Sequence, residues 1–150
     1  PTLAIGGVDT AENEPSKVSM KWGSQTGVAP AMGGLVLGQE VARQLNCRFL
    51  FLEKVDDRLA LRRNFSISSR DHVLLVEDVV TKGGRVTEAL AILRKTDCKI
   101  CAVTSLVDRS TDKLDFGVLF QPLLKLNFPT YDPNELPDHL KSLSPVKPGS

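Results

Sequence analysis

The sequence of 150 residues has no long apolar segment, little net charge and few cysteines. No apolar run approaches the roughly 18 residues that cross a membrane, and the start lacks the basic, apolar and small-residue segments of a secretory signal. We therefore expect a soluble, cytoplasmic protein without a membrane partner. The formal net charge is +1 and no run of like charge forms a polybasic tail, so we also expect no nucleic-acid partner.

Several common ligand-binding motifs are also missing. Cys98 and Cys101 have the spacing of a metal-binding pair, but no second pair of cysteines or histidines accompanies them. We interpret these two as small buried thiols, and the isolated His72 and His139 as structural or solvated side chains. The chain has neither the Gly-Lys-Ser/Thr of a Walker loop nor the Gly-x-Gly-x-x-Gly of a dinucleotide-binding strand end. The two commonest glycine motifs for phosphate are thereby excluded.

The chain length fits one domain that buries a substantial core. We expect a single domain over residues 1–150, with an irregular segment at 1–26 and a proline-punctuated tail at 129–150. Helical spacing and apolar runs alternate between these ends, with helices predicted at 35–45 and 87–95 and strands at 48–52, 73–76 and 100–107. The order β-α-β-β-α-β predicts an α/β fold, a doubly wound and mostly parallel Rossmann-like sheet with right-handed crossovers.

The remaining segments carry weaker signals. Residues 28–34 are predicted to form a turn-forming loop, and residues 53–64 a charged excursion from the domain, shaped as a hairpin. Two short strands at 117–121 and 123–126 are expected to complete the sheet. A further short strand is expected at residues 3–5.

Residues 73–85 are the most informative part of the chain. An apolar, β-branched run leads into Glu77 and Asp78, and then into a loop with paired glycines. Acids at the carboxyl end of a central strand lie where open α/β sheets bind ligands, and carboxylates accept hydrogen bonds from sugar hydroxyls. The glycines allow close approach to a phosphate, and a helix beginning near Gly84 directs free N–H groups at that anion. The alternative without a bound ligand is an acidic strand end before an ordinary helix cap.

The same residues resemble the phosphoribosyl pyrophosphate (PRPP) motif of the type I phosphoribosyltransferases, in which hydrophobic residues precede an acidic pair and a Thr/Ser-Gly-Gly loop. The resemblance implies that Glu77 and Asp78 hold the ribose hydroxyls, directly or through the water shell of a bound Mg²⁺. It implies that the following loop holds the 5′-phosphate. The residues of that loop are Thr81, Lys82, Gly83, Gly84 and Arg85.

Further segments of the chain are similar to segments of the orotate phosphoribosyltransferases and follow one another in the same order as in that group. Residues 29–38 resemble the Gly-Pro-Ala-x-Gly-Gly loop that meets pyrophosphate, which implies contacts from Ala31, Met32, Gly33 and Gly34. Residues 53–65 resemble a hairpin that carries catalytic cations over the site. By this resemblance the cations are Lys54, Arg58, Arg62 and Arg63. The alternative for these four is a solvated charged hairpin.

The resemblance extends to the end of the chain. Arg109 matches the arginine that contacts orotate, and residues 145–150 resemble the Lys-Pro-Gly-Ser ending of many members. The alternative for Arg109 is an ion pair with Asp108 or Asp112. The family implies transfer of the phosphoribosyl group from PRPP to orotate, giving orotidine 5′-phosphate and pyrophosphate, with Mg²⁺ and as a homodimer.

Some positions depart from that pattern. Lys82 and Arg85 stand where the family commonly has Thr or Ser, Asn64 replaces the hairpin glycine, and residues 1–26 contain no recognisable N-terminal hood for the base. Three alternatives stay open at this point. They are a catalytically degenerate PRPP-binding regulator, a phosphoribosyltransferase for another base, and a piece of a longer chain.

Overall fold

The computed structural model describes residues 25–129, 131–132 and 134–144. These residues form a six-stranded sheet with the strand order β3-β2-β1-β4-β5-β6. All neighbouring strands are parallel except β2 and β3, which form an antiparallel hairpin. The elements are β1 (Thr26–Pro30), α1 (Gly34–Gln44), β2 (Arg48–Val55), β3 (Arg58–Leu61), β4 (His72–Val80), α2 (Gly84–Arg94), β5 (Lys99–Asp108), β6 (Phe120–Lys125) and α3 (Asp138–Lys141). The predicted α/β fold is confirmed.

The two long helices cover opposite faces of the sheet. Successive residues of a strand face opposite sides, and β4 follows this rule. Leu75 lies in the apolar cluster that contains Leu90 of α2, whereas Val76 lies in a second cluster with Val41 of α1. Because β4 is buried on both faces, its run of Val and Leu is continuous rather than alternating.

The chain reverses its direction across the sheet between β1 and β4. The β1-α1-β2 unit moves towards one edge, and the β4-α2-β5 unit moves towards the other. Strands β1 and β4 are hydrogen-bonded neighbours, so the loops that follow them diverge to opposite faces. This is a topological switch point, and the carboxyl ends of the strands there form a crevice in which α/β proteins bind ligands.

The loop predicted at residues 28–34 is wrong in its first part. Thr26–Pro30 is strand β1, and every one of its residues is buried. The polar side chain that obscured this strand is satisfied inside the sheet. The hydroxyl of Thr26 accepts a hydrogen bond from Arg48 Nε (3.0 Å) and donates one to Asp71 Oδ1 (3.2 Å).

Two other elements differ from the prediction. Residues 53–64 do not leave the domain, because β3 pairs with β2 and forms an edge of the sheet. The two short strands expected at 117–121 and 123–126 are one strand, β6. Pro122 has no N–H group to donate, and an edge strand tolerates this because one of its sides has no partner strand. The strand predicted at residues 3–5 and the last six residues lie outside the described residues.

Asp71 is the centre of a polar network at the amino ends of strands β1 and β2. Its carboxylate accepts hydrogen bonds from Arg48 Nη2 (2.6 Å) and from the backbone N–H and hydroxyl of Ser68 (2.7 and 3.0 Å). With the bond from Thr26, this network ties β1, β2 and the segment before β4 together.

We predict that Asp71→Ala lowers the free energy of unfolding by about 2 kcal/mol, because it leaves several donors without their acceptor. Urea denaturation of the two chains measures the difference. The control is Asp138→Ala, which removes an exposed carboxylate whose ion-pair partner is the exposed Lys141 and should change stability by less than about 0.5 kcal/mol. Equal losses in the two variants would show that the network does not stabilise the sheet.

None of the helices within the described ranges is long and apolar enough to cross a membrane. Across the same ranges, no group of three or more His, Cys, Asp or Glu side chains is placed to hold a metal ion. Cys98 and Cys101, predicted to be buried thiols, are half-buried, and Cys98 Sγ lies 3.5 Å from the carbonyl oxygen of Leu93.

Candidate active site

The predicted site residues come from separate loops that meet at the carboxyl edge of the sheet. The loop at residues 31–33 follows β1, the hairpin turn follows β2, the glycine loop follows β4, and Arg109 follows β5. A cleft of about 270 Å³ lies at the switch point. It is lined by Pro30, Ala31, Gly33, Glu77, Asp78, Val79 and Arg85.

Glu77 and Asp78 lie within strand β4 rather than after it, because the strand continues to Val80. Glu77 is only 5% exposed, and its Oε1 accepts a hydrogen bond from the backbone N–H of Asp78 (3.1 Å). Burial, assisted by the carboxyl group of Asp78, raises the pKa of Glu77 to about 8. The buried carboxyl group is therefore protonated in the protein below that pH, and new donors or a cation beside it would favour its ionised form.

The glycines of the loop after β1 allow that loop to lie against the two acids. A Cβ atom on Gly33 would collide with the carboxylate of Asp78. A Cβ atom on Gly34 would lie 3.2 Å from Ala29 Cβ and 3.4 Å from Glu77 Oε1. Larger residues at these positions would push the loop and the acids apart, so the paired glycines set the width of the cleft.

The two glycines of the loop after β4 differ in the space that surrounds them. Gly83 has a positive φ of 76°, and a Cβ atom there would lie 2.9 Å from the ring of Phe116. A Cβ atom on Gly84 would meet nothing within 4 Å. Helix α2 begins at Gly84 without a side-chain cap, so the N–H groups of its first turn have no partner within the helix. These groups and the helix dipole favour an anion in the space beside Gly84.

The two glycines therefore give a paired prediction. Gly83→Ala should lower the free energy of unfolding by about 2 kcal/mol, because it combines a left-handed backbone with contact against Phe116. Gly84→Ala should change it by less than about 1 kcal/mol and in the stabilising direction, since alanine favours a helix. Thermal and urea unfolding of both variants provide the comparison. An equal loss in both would show that the open space beside Gly84 is absent.

The hairpin cations divide into two groups. Lys54, Arg62 and Arg63 line a second cleft, of about 470 Å³, together with Ala31 and Met32 of the loop after β1. The lining of that cleft does not include Arg58, which is exposed on the edge strand β3.

Two of these cations have acidic partners within the hairpin. Lys54 Nζ lies 2.5 Å from Asp57 Oδ1, and Arg63 Nη2 lies 2.7 Å from Glu53 Oε1. The hydrogen bond from Arg63 is the main reason that the pKa of Glu53 is lowered. The structure therefore brings three of the four predicted cations to the loop after β1, two of them already paired.

Arg109 is held by its backbone and by an aromatic ring. Its N–H donates to the carbonyl oxygen of Val80 (2.7 Å), and its guanidinium carbon lies 5.2 Å from the centroid of the Phe128 ring. Neither ion pair considered for Arg109 is formed. Asp108 accepts hydrogen bonds from Lys125 Nζ (2.7 Å) and from the N–H of Ser110 (2.8 Å), and Asp112 accepts one from the Thr111 hydroxyl (3.3 Å). The guanidinium edge of Arg109 remains able to bind a ligand carboxylate or carbonyl.

Two contributors escaped prediction from the sequence. Phe128 lies 19 positions after Arg109 in a segment without periodicity, so nothing in the sequence connects them. Glu88 is bound to Arg85 on α2, and the spacing of three residues was a usable signal for that pair. The contact of Glu88 with β3 could not be inferred in this way.

The strand reversal and the clefts at its carboxyl edge define a doubly wound α/β protein whose candidate site lies at the switch point. Comparison with known proteins agrees with this class. Residues 21–118 match the phosphoribosyl transferase domain family. An adenine phosphoribosyltransferase from Thermoanaerobacter pseudethanolicus superposes with a TM-score of 0.65 at 17% identity, covering 74% of this chain and 75% of its own. An orotate phosphoribosyltransferase from Aeropyrum pernix superposes with a TM-score of 0.59 at 18% identity, covering 75% of this chain and 70% of its own.

Sequence relatives are closer than these structures. The orotate phosphoribosyltransferase of Thermotoga maritima is 42% identical over 95% of this chain and 76% of its own length. That of Caldanaerobacter subterraneus is 46% identical over 82% of this chain and 65% of its own. The chain belongs to the phosphoribosyl transferase family and, within it, to the orotate phosphoribosyltransferases, which are transferase enzymes.

Proposed function

We propose that the chain transfers the phosphoribosyl group from PRPP to orotate, giving orotidine 5′-phosphate and pyrophosphate. The observation that carries this proposal is that one acidic pair adjoins two glycine loops, the first in contact with it and the second lining a cavity together with Glu77. Gly33 lies against Asp78, Gly34 lies beside Glu77, and the loop that starts α2 follows three residues after the pair. A ligand with a phosphate at one end, hydroxyls in the middle and a pyrophosphate at the other end matches that order.

Each part of PRPP has a group of candidate residues. The 5′-phosphate would lie beside Gly84, where α2 offers its first N–H groups and Lys82 and Arg85 add positive charge. Glu77 and Asp78 would accept hydrogen bonds from the ribose hydroxyls and so orient the anomeric carbon. The pyrophosphate would lie along residues 31–34, between the acids and the hairpin.

The hairpin cations would stabilise the leaving group. The reaction breaks the bond between the anomeric carbon and pyrophosphate and forms one to N1 of orotate, through a transition state with oxocarbenium character. Negative charge grows on pyrophosphate as the bond breaks, and preorganised cations lower the barrier most where charge develops. Lys54, Arg62 and Arg63 line the cleft that adjoins the loop after β1, which supports this role. Arg58 would contribute only if the hairpin turn moves.

The acidic pair is compatible with Mg²⁺ carried by the substrate. Mg²⁺ is usually held by one or two carboxylates together with substrate phosphates and water, not by a cage of protein ligands. Glu77 and Asp78 provide two such carboxylates, and the described residues contain no larger cluster of metal ligands. When bound, the ion would neutralise charge on the pyrophosphate. We propose Mg²⁺ in this capacity.

Arg109 is the candidate for selecting the base. Its planar guanidinium can donate two parallel hydrogen bonds to the carboxylate of orotate. Uracil and the purine bases have no carboxylate. The Phe128 ring lies 5.2 Å from the guanidinium carbon and helps to hold the guanidinium by a cation–π contact.

Arg109→Lys should therefore raise KM for orotate about tenfold and change KM for PRPP by less than about twofold, because lysine keeps the charge but loses the fork. Initial rates with orotate, uracil, adenine and hypoxanthine test the proposed substrate. Orotidine 5′-phosphate should be the main product of the unmodified chain. Preference for another base, or an Arg109→Lys variant with unchanged KM for orotate, would contradict the proposal.

We further propose that residues 1–150 act as a single domain, in the cytoplasm and as a homodimer. The continuous six-stranded sheet with helices on both faces supports the single domain. Sedimentation of the purified chain tests the dimer, and a monomer at micromolar concentration would contradict it.

A further inference from the structure

Glu88 connects helix α2, which begins at the glycine loop, with the β2–β3 hairpin. It is on α2, one turn after Arg85. Its Oε2 accepts a hydrogen bond from Arg85 Nη1 (3.0 Å), and its Oε1 accepts one from the backbone N–H of Leu59 on β3 (2.6 Å). One carboxylate therefore binds both the helix that begins at the glycine loop and the strand that continues the cationic hairpin.

The two partners of Glu88, Arg85 and the N–H group of Leu59, belong to the candidate site and to the hairpin, respectively. Arg85 lines the cleft at the switch point and also the smaller cavity beside Gly84. Leu59 is buried in the core cluster next to Arg58, so its N–H group reports on the position of β3. The side chain of Glu88 is about a third exposed, which keeps the ion pair weak enough to be exchanged for another partner.

We propose that Glu88 is a positioning residue that couples binding of a phosphate group beside Gly84 to the β2–β3 hairpin. The inference rests on the proposed function, because it assumes a phosphate in that space. An anion there competes with Glu88 for the guanidinium of Arg85. When Arg85 turns to the anion, the Glu88 carboxylate has no remaining cationic partner and becomes a stronger acceptor for the Leu59 N–H group. Binding at one loop thereby holds the hairpin more firmly to α2.

The electrostatics of the hairpin turn agree with this connection. Asp57 lies in the turn between β2 and β3 and has a lowered pKa, mainly through its hydrogen bond from Lys54. The charge of Arg85 is a minor further cause of that lowered pKa, so Arg85 lies within electrostatic range of the hairpin turn. A movement of Arg85 towards a phosphate changes the field at the turn as well as the ion pair with Glu88.

The test compares Glu88→Gln with the unmodified chain, using ribose 5-phosphate as the probe. Glutamine keeps an acceptor for the Leu59 N–H group but cannot form an ion pair with Arg85. The variant should bind ribose 5-phosphate about threefold to fivefold more tightly, the effect expected when a partly exposed ion pair no longer competes. In the unmodified chain, ribose 5-phosphate should slow hydrogen exchange of the Leu59 amide. In Glu88→Gln it should not.

The matched control is Glu40→Gln on α1. Glu40 forms an ion pair with Arg43 at the same spacing of three residues, but both residues of that pair lie on α1 and join it to neither α2 nor the hairpin. It should change neither the affinity for ribose 5-phosphate nor the exchange of Leu59. A residue with a purely structural role would lower the affinity on substitution or leave it unchanged, so tighter binding distinguishes coupling from support.

Two failures are distinguishable. If ribose 5-phosphate binds the unmodified chain but Glu88→Gln has the same affinity and the same effect on Leu59, the coupling is refuted and the phosphate site stands. If ribose 5-phosphate does not bind the unmodified chain, the phosphate site fails, and the proposed function and the coupling fail with it.

Discussion

A chain carrying Glu77→Gln together with Asp78→Asn should lose at least about a hundredfold in kcat/KM for PRPP. With Mg²⁺ and the substrate's donors favouring the ionised form of Glu77, each carboxylate can accept a charge-assisted hydrogen bond from a ribose hydroxyl, and such bonds contribute about 1.5–3 kcal/mol each. Two of them exceed the roughly 2.7 kcal/mol that corresponds to a hundredfold change. The measurement is the initial rate of orotidine 5′-phosphate formation as a function of PRPP concentration.

The loss must arise from the chemistry of the acids and not from unfolding. The substitutions keep the size of both side chains, and circular dichroism with thermal unfolding checks that the sheet is intact. The control is Glu135→Gln with Asp138→Asn, an isosteric pair on exposed residues near the end of the described chain. It should keep full activity. Unchanged PRPP kinetics in the Glu77 and Asp78 variant would remove the ribose role from both residues.

Glu77 should also make the protein less stable as the pH rises. The pKa of its carboxyl group is about 8 in the folded protein and 4.5 as an ordinary value. Between these two values the folded chain keeps a proton that the unfolded chain has released, so raising the pH favours unfolding. The contribution to the free energy of unfolding should fall by about 3 kcal/mol from pH 5 to pH 8 and then level off above pH 8.

Urea denaturation of the unmodified chain and of Glu77→Gln at pH 5, 6, 7 and 8 measures this effect. Other groups titrate in both chains, so the difference between the two curves isolates Glu77. The glutamine variant should gain stability relative to the unmodified chain as the pH rises. Parallel curves would mean that Glu77 is not desolvated in the folded protein.

The sequence predicts those parts of the fold that depend on local patterns. Helix α1, strand β5 and the glycine loop before α2 follow from apolar periodicity and from paired glycines, and all three are found close to their predicted positions. Strand β1 was missed because its polar residue is satisfied by Arg48 and Asp71, which are distant in sequence. When the burial of a polar side chain depends on partners distant in sequence, the local sequence shows no periodic apolar pattern.

The same distinction applies to the candidate site. The acidic pair, the glycine loops and the cations are each recognisable as short segments, and the fold brings most of them to one edge of the sheet. The contacts that connect these segments are between residues far apart in sequence. The bond from Leu59 to Glu88 and the stacking of Arg109 on Phe128 are examples. Their roles in binding and catalysis stay predictions.

The most direct test of the account is calorimetric titration of the chain with PRPP in the presence of Mg²⁺, followed by addition of orotate to the same sample and detection of orotidine 5′-phosphate. We predict saturable binding of PRPP at one site per chain, loss of that binding in the Glu77→Gln, Asp78→Asn variant, and formation of the product when orotate is added. An absence of binding, or equal binding by the variant, would contradict the assignment of the site at the carboxyl edge of β4.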